Sequence, residues 1–404
     1  MKNLILILIL ALSACYPKTA ELEWKSIEKD LQLQLIQAKD GDVIQLPAGN
    51  YMFTKPLIMD GLKNVTIQGA GMEQTILSFE IQESGAEGIR AANCTNLVFE
   101  DFTIRDAKGD NIKITDTEGI RLTRVKSEWT GEPKEKNGAY AFYPVLCKNV
   151  VVEECIAIGS SDAGIYVGQS DSVIIRNNEV YFNVAGIESE NSRWVEIYGN
   201  NAHHNTGGIL IFDMPGLTQS GHTTRVFDNI VTSNNYRNFA PEGNVVATVP
   251  SGTGVMMMAT RNIEVFNNQI IDNRTVGTAI ASYRLVVELG AEEGSQLEEA
   301  NNRISDEYDP DPNDINIHDN TYSNKYWFPT FKNDFGLLFL TKFPFNTPDI
   351  AYDGFSPPAK PFKMCLSGNG EISFANIDAE HDLVGITQDW SSYDCMMDQI
   401  APIF

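Results

Sequence analysis

Positive charge is scarce in this sequence. Its 404 residues contain 30 Lys and Arg against 54 Asp and Glu, so the formal net charge at pH 7 is −24. Nucleic-acid binding requires a clustered basic surface, and no segment of the chain supplies one, so this class of function is excluded. The same charge disfavours polyanionic glycans as ligands, unless a divalent cation lies between the two acidic surfaces.

Apolar runs of membrane-spanning length are also absent, since a spanning helix needs about 20 residues. The one notable run, residues 4–12, follows Lys2 and precedes Ser13, Ala14 and Cys15, which is typical of an export signal. Residues 12–15, LSAC, resemble the bacterial lipobox. The resemblance implies that Cys15 is lipidated, and Tyr16 in place of Asp implies the outer membrane. We therefore predict an exported lipoprotein in the outer membrane, in the periplasm or at the cell surface, with residues 1–15 as its signal peptide.

Cysteine is used sparingly, and not in the patterns of a metal or haem site. The six cysteines form no CxxC pair, no CxxCH motif and no Cys/His cluster at zinc spacing. Cys94 and Cys147 occupy equivalent repeat positions and are predicted to be core thiols. Cys365 and Cys395 both lie near the C-terminus of a chain expected to meet oxidising conditions, and we predict that they form a disulfide.

The middle of the chain repeats with a period of 22 residues, visible at Gly164, Gly186 and Gly208. Each unit contains short β-branched segments that end in an asparagine corner. Helical repeats need 33 residues or more and propeller blades need about 40–45, so this period predicts a parallel β-helix. The corner asparagines are predicted to adopt the left-handed conformation and to stack from coil to coil; they are Asn178, Asn183, Asn200, Asn205, Asn229, Asn234, Asn268, Asn273 and Asn320.

Breaks in the repeat suggest the domain organisation. We predict a tether and a helical N-terminal cap over residues 16–40, the β-helix over 41–330, and a non-repeat C-terminal cap or appendage over 331–404. Within the β-helix, insertions interrupt the period at 126–137, 235–253 and 285–313. The last is acidic and is predicted to be a mobile loop.

The coils resemble the right-handed β-helix superfamily of pectate lyases, polysaccharide epimerases and phage tailspikes. A narrower resemblance is carried by SSDAGIYVGQS (160–170), NVAGIESENS (183–192), TGGILIFDMPG (206–216) and NFAPEGNVVATVPSGTGVMMMA (238–259). These segments are similar to a family of exported bacterial parallel β-helix repeat lipoproteins without an established activity. Members are encoded beside a c-type cytochrome-like exported protein, so the resemblance implies a redox protein as a partner.

Alternation along the strands gives an outward set on one face of the predicted helix. Treating Ile165, Ile187 and Ile209 as inward places two carboxylates, Glu188 and Glu190, in a mainly aromatic and apolar stripe. The complete stripe is Tyr140, Phe142, Tyr166, Gly168, Glu188, Glu190, Leu210, Phe212, Met256 and Met258. The next corner position is predicted to carry Tyr143, Gln169, Asn191 and Asp213 in successive coils.

Three interpretations of this stripe remain open. The 235–253 insertion or the C-terminal tail could cover it, as an outward apolar stripe on a protein usually requires. Alternatively, it is a glycan groove in which tyrosines stack on sugars while Glu188, Glu190 and Asp213 bind hydroxyls or a Ca²⁺ ion. The third interpretation is a non-catalytic envelope scaffold that docks a protein partner on this face.

If the groove is catalytic, its close carboxylates could divide acid and base roles in a glycoside hydrolase-like reaction. Lyases and epimerases need Arg, Lys or His to act on a uronate; this stripe has almost none, and the Asp-Pro-His-Asp motif of alginate epimerases is absent. Whether the chain is an enzyme stays open, although we favour binding or processing of a polysaccharide. The candidate catalytic residues are Glu188, Glu190 and Asp213, and the candidate substrate-binding residues are Tyr140, Tyr143, Tyr166, Gln169, Arg193 and Phe212.

Overall fold

The computed structural model describes residues 23–290, 293–326, 328–343, 346–356 and 362–403. The predicted signal peptide and the lipidation site Cys15 lie outside these residues. Within the described parts of the chain, none of the helices combines the length and the apolar composition that crossing a bilayer requires.

The repeat forms the predicted parallel β-helix, in which three columns of short strands stack around one core. In the first column the strands are Val43–Gln45, Thr66–Gln68, Thr95–Arg105, Glu118–Glu128, Lys148–Glu153, Asp171–Arg176, Arg193–Tyr198, His222–Phe227, Arg261–Phe266, Asn313–His318 and Met364–Cys365. Thr95–Arg105 and Glu118–Glu128 continue into the second column, which also contains Trp24–Lys25, Gly49–Met52, Thr75–Ser78, Ile156–Ile158, Glu179–Tyr181, Asn201–His203, Ile230–Thr232, Gln269–Ile271 and Thr321–Ser323.

The third column is a separate sheet of 11 strands. Its members are Leu57–Asp60, Ile89–Ala92, Ile112–Thr115, Tyr140–Val145, Ala163–Gly168, Ala185–Glu190, Gly207–Phe212, Thr253–Met258, Val276–Ala281, Ile350–Tyr352 and Phe374–Asn376. Every pairing between these strands is parallel, so equivalent residues of successive coils lie about 4.8 Å apart. The column therefore presents long ladders of side chains on its outer surface.

A short helix, Glu28–Gln37, covers the N-terminal end of the coils. Leu31 and Leu35 are buried against the core, and the Gln32 amide exchanges hydrogen bonds with the backbone of Ile58, at 3.0 and 2.9 Å. The side chain thus pairs with the first strand of the third column, whose edge would otherwise be open. The predicted N-terminal helical cap is present.

Two asparagine ladders line the corners, as predicted. Asn178 donates to Asn200, and Asn200 donates to Asn229, at 2.9 and 3.0 Å; a parallel ladder starts at Asn183. The left-handed conformation, however, belongs to the residue before each ladder asparagine, for example Asn177 with φ 55°. The predicted backbone role is therefore wrong by one residue, because the ladder asparagine turns its amide into the corner while its neighbour makes the bend.

The C-terminal residues continue the coils instead of folding apart from them. Strands Ile350–Tyr352, Met364–Cys365 and Phe374–Asn376 add to the columns, so parallel pairing extends past the predicted boundary at residue 330. The remaining tail contains the helix Asp334–Lys342 and the 3₁₀ turns Ala379–His381 and Ser391–Tyr393. A disulfide joins Cys365 to Cys395, the pair expected from the sequence.

Two insertions pack over the outer surface of the third column. Residues 235–253 include the 3₁₀ turn Val245–Thr248, and residues 283–290 and 293–313 include the helices Tyr283–Leu289 and Gln296–Asn301. The sequence predicted a mobile loop over 285–313, whereas the structure has helices there. They are held in place because apolar residues such as Val286 and Leu297 are buried against the sheet. These insertions determine what covers the predicted site.

Candidate functional site

The outward ladder of the third column runs Tyr143, Tyr166, Glu188, Leu210 and Met256 in successive coils. Pairing of Phe142 with Ile165 turns the Phe142 side chain into the core, where it is fully buried. The prediction that Phe142 faces outward is therefore wrong. The error arises at the 126–137 insertion, across which the register of the repeat could not be read.

A second ladder runs beside the first through Val145, Gly168, Glu190 and Phe212. The corner that follows carries Leu146, Gln169, Asn191 and Asp213, and the first three have positive φ angles of 55°, 48° and 46°. Tyr143 was predicted at this corner and is instead three residues earlier, opposite Tyr166. Both corrections come from the same register shift in the strand Tyr140–Val145.

Three tyrosines form a compact aromatic cluster despite this shift. The ring centroids of Tyr140 and Tyr143 are 4.3 Å apart with nearly parallel planes, and Tyr166 lies 4.8 and 4.9 Å from them. The hydroxyls point to acids: Tyr140 donates to Asp162 at 3.2 Å, and Tyr166 donates to Glu190 at 2.9 Å. The cluster therefore connects aromatic surface directly with carboxyl groups.

Asp162, Glu188 and Glu190 form an acid group beside these tyrosines, which we call the acid cluster. Burial raises the pKa of Glu188 well above its usual range, and the neighbouring Asp162 and Glu190 carboxyls raise it further. Burial also raises the pKa of Asp162 to about 7 and the pKa of Glu190 to about 7, although the tyrosine hydrogen bonds oppose both changes. The acid cluster can therefore hold and release protons near neutral pH.

Two oxygens of the acid cluster, Asp162 Oδ1 and Glu188 Oε2, are buried and lack a hydrogen-bond donor. A proton on Glu188 would supply one, and a hydrogen bond between the Glu188 and Asp162 side chains is among the causes that raise the pKa of Glu188. A carboxyl pair sharing one proton avoids two adjacent buried charges. Buried carboxyls with raised pKa values lower the free energy of unfolding when they ionise, and they are common in active sites, where they transfer protons.

The acid cluster is covered, which agrees with the first of the three interpretations of the stripe. Phe239, Val246 and Val249 of the 235–253 insertion pack on this face together with Tyr283, and Glu188 is only 2% exposed. One polar contact joins the cover to the acids, since Asn244 Nδ2 lies 3.5 Å from Asp162 Oδ2. We call residues 235–253 the cover segment.

Asp213 lies at the edge of the acid cluster in a different environment. Its carboxyl accepts the backbone N–H of Gly221 at 2.7 Å and lies 3.7 Å from Arg261, while burial raises its pKa to about 6. Among the described residues, no group of three or more His, Cys, Asp or Glu side chains is placed to hold a metal ion. The calcium site allowed by the sequence at Glu188, Glu190 and Asp213 is therefore not assembled.

The other predicted binding residues divide into two groups. Phe212 is buried beneath the insertions with the tyrosine cluster. Gln169 instead accepts hydrogen bonds from Thr218, and Arg193 donates to the carbonyl of Ser220 at 3.0 Å, so both hold the loop after Asp213. These two residues support the edge of the site, where the charge of Arg193 also opposes the rise in the pKa of Asp213.

Sequence reasoning missed Asp162 and Asn244. Asp162 lies in the bend before the strand Ala163–Gly168, so the alternation of the strand does not place its side chain. Asn244 had no signal either, since only folding of the cover segment brings it to Asp162.

Comparison with known proteins supports the fold. Residues 64–218 match the family model described as "Right handed beta helix region", which confirms the right-handed parallel β-helix and the resemblance to that superfamily. No curated protein matches the chain.

Several solved structures are similar at low identity. The A-module of the mannuronan C-5 epimerase AlgE4 of Azotobacter vinelandii is 15% identical over 80% of this chain and 89% of its own, with a TM-score of 0.46. An alginate lyase from Paenibacillus sp. is 14% identical over 86% and 94%, with a TM-score of 0.41. The DFA-IIIase of Arthrobacter chlorophenolicus is 11% identical over 80% and 86%, with a TM-score of 0.41. Likenesses this distant carry no information about the chemistry of this chain.

Proposed function

We propose that this right-handed β-helix binds and processes a polysaccharide at the acid cluster, by a hydrolase-like reaction that uses its carboxyl groups as acid and base. The single observation that carries the proposal is the position of three buried carboxyls with raised pKa values beside three clustered tyrosines on one outward face. Tyrosine rings offer flat surfaces for sugar rings, and carboxyls that titrate near neutrality suit proton transfer.

Roles within the acid cluster follow from the contacts of each carboxyl. Tyrosine hydrogen bonds stabilise the charged forms of Asp162 and Glu190, whereas burial and two neighbouring carboxyls raise the pKa of Glu188, so Glu188 is the general acid that would protonate a leaving glycosidic oxygen. Glu190 titrates near pH 7 and receives the hydrogen bond of Tyr166, so its carboxylate is the base or nucleophile. Asp162 shares a hydrogen bond with Glu188 and is a positioning residue that sets the protonation of the acid.

Access for a polymer requires movement of the cover segment. Its polar link to the acids is the long 3.5 Å contact of Asn244 with Asp162. Away from the acids the segment is held by hydrogen bonds, for example from Arg237 to the carbonyl of Pro133 and from the Leu297 N–H to the carbonyl of Gly243, both at 3.2 Å. Opening therefore breaks no short hydrogen bond at the acids but must break hydrogen bonds at the margins of the segment.

The alternative of a scaffold that docks a protein partner on the apolar stripe would require the same movement, because the chain's own insertions cover that stripe as well. The buried carboxyls with raised pKa values favour the catalytic proposal over it.

Export and lipid anchoring at Cys15 are part of this proposal. They rest on the sequence of residues 1–15, and they would place the site in the cell envelope, where polysaccharides are available as substrates.

The test is incubation of the predicted mature chain, from residue 16 onward, with a panel of neutral and acidic polysaccharides, with and without Ca²⁺. NMR of the sugars detects cleavage, elimination and epimerisation as chemical changes and detects binding as line broadening. We expect cleavage of at least one glycan, and we expect Glu188→Gln and Glu190→Gln to lower the rate by 100-fold or more.

Asp116→Asn is the matched control, because it makes the same acid-to-amide change at an exposed corner. It should leave the rate unchanged. A folded wild-type protein that alters and broadens no glycan would refute the proposal, as would full activity in both glutamine variants. Elimination or epimerisation products would keep the site but overturn the hydrolytic assignment.

A further inference from the structure

The outer face of the first column, which the acid cluster does not use, carries a ladder of charged side chains. Glu196, Arg225 and Glu264 occupy the same outward position in three successive coils. The Arg225 guanidinium lies 2.7 Å from the Glu196 carboxylate and 3.4 Å from that of Glu264. Both glutamates are buried although they point away from the core, so another part of the chain covers them.

Residues 396–403 provide that cover, and we call them the strap. The backbone N–H of Ile400 donates to Glu264 at 3.2 Å, and that of Ile403 donates to Glu196 at 3.1 Å. The two acids are two coils apart, about 9.6 Å, and three residues of extended chain span about 9–10 Å. Every third residue of the strap is half-buried, and the residues between are exposed. The strap therefore runs along the column axis in step with the coils.

A disulfide anchors one end of the strap. Cys395 directly precedes the strap, and its partner Cys365 lies two coils beyond Glu264 in the same outward ladder. Cys365 is fully buried, whereas Cys395 is half-buried. The disulfide thus holds the start of the strap directly over the ladder that the rest of the strap covers.

In the described part of the chain, two hydrogen bonds and three half-buried side chains hold the strap itself to the coils. The other side chains of the strap are exposed, and Met396 is 84% exposed. Each ordered residue loses backbone entropy, and these few contacts offset only part of that loss over the whole strap. The disulfide reduces the conformational freedom that the strap would gain on release. Attachment of the strap therefore depends on the disulfide.

The same face is open beyond the strap. The outward ladder continues past Glu196 into the preceding coils, where its rungs are Ile174, Val151, Arg121 and Val98. These four rungs line an open groove of about 410 Å³. Release of the strap would add the three charged rungs to the floor of this groove, which would then extend over seven coils instead of four.

We propose that the strap is a redox-controlled cover, and that reduction of the Cys365–Cys395 disulfide releases residues 396–403 and opens the groove along its full length. The reductant is a dithiol. One of its thiolates attacks the half-buried Cys395 sulfur, and Cys365 leaves as a thiolate that takes up a proton. The second thiol of the reductant then displaces Cys395 in the same way. Two electrons and two protons thus reach the cysteines, while the dithiol becomes a disulfide.

This inference does not depend on the function proposed for the acid cluster, because it uses different residues on a different face.

Amide hydrogen exchange measures release of the strap. Protein from residue 16 onward, labelled with ¹⁵N-isoleucine, is compared by NMR before and after reduction by dithiothreitol. We expect exchange at the Ile400 and Ile403 N–H groups to accelerate at least tenfold, because both would lose their carboxylate acceptors. Ile197 and Ile263, in the strands beneath the strap, should keep their rates.

Cys395→Ser provides the second arm, because it removes the anchor without a reductant and should reproduce the fast exchange at Ile400 and Ile403. Cys94→Ser is the matched control, since it makes the same change at a buried thiol outside the disulfide, and it should leave both rates unchanged. The proposal is overturned if these rates stay the same in protein whose reduction is verified by mass spectrometry. It is also overturned if Ile197 and Ile263 accelerate equally, because the disulfide would then hold the coils together and not the strap alone.

Discussion

Replacing Asp162 by asparagine should stabilise the protein at pH 8 and have little effect at pH 4.5. Asp162 is 5% exposed, and burial raises its pKa from 3.8 to about 7. The unfolded chain therefore releases this proton near pH 4, whereas the folded protein retains it until about pH 7. Between these values the folded state binds more protons than the unfolded state, so its stability falls as the pH rises.

The size of the effect follows from the same two pKa values. Each tenfold change in proton affinity corresponds to about 1.4 kcal/mol, so the folded protein loses up to about 4 kcal/mol at this carboxyl between pH 4 and pH 8. The loss is an upper limit for one residue because Asp162 and Glu188 interact. Asp162→Asn keeps an oxygen to accept from Tyr140 and removes the charge, so we expect a gain of about 2–4 kcal/mol at pH 8.

Equilibrium urea unfolding followed by circular dichroism at pH 4.5, 6 and 8 measures this prediction. The control is Asp116→Asn, whose free energy of unfolding should follow that of the wild type at every pH. Equal effects of Asp162→Asn at pH 4.5 and pH 8, or destabilisation at pH 8, would refute the argument. That argument holds that the buried, charged carboxylate of Asp162 lowers the free energy of unfolding above pH 7.

Two further predictions concern the corner asparagines and the anchor. Asn268→Ala should lower the free energy of unfolding by about 3–5 kcal/mol, because the buried amide hydrogen bonds to both adjacent coils. Asn267→Ala, at the exposed neighbour with φ 54°, should cost only about 1 kcal/mol, and similar urea midpoints for the two variants would contradict the ladder argument. Cys15→Ser should move the protein from the membrane fraction to the soluble fraction and remove the lipid mass from its N-terminal peptide. Unchanged fractionation would contradict the lipobox interpretation.

The candidate site was only partly predictable. Glu188 and Glu190 were found because alternation within one strand is independent of distant parts of the chain. Tyr143 was misplaced because the 126–137 insertion hides the register between coils, and register is determined by hydrogen bonds across the gap. Gln169 and Arg193 were assigned to the ligand because the sequence does not show that the loop after Asp213 folds back onto them.

The parallel β-helix was predictable from the amino-acid sequence, because a 22-residue period with asparagine corners is a local pattern repeated many times. The N-terminal helix was predictable as well, since Leu31 and Leu35 lie one turn apart on one face. Folding alone brings residues 235–253 over the acids, places Asp162 beside Glu188, and adds the C-terminal strands to the columns. These features depend on contacts between segments far apart in the chain and outside the repeat, and no local periodicity records such contacts.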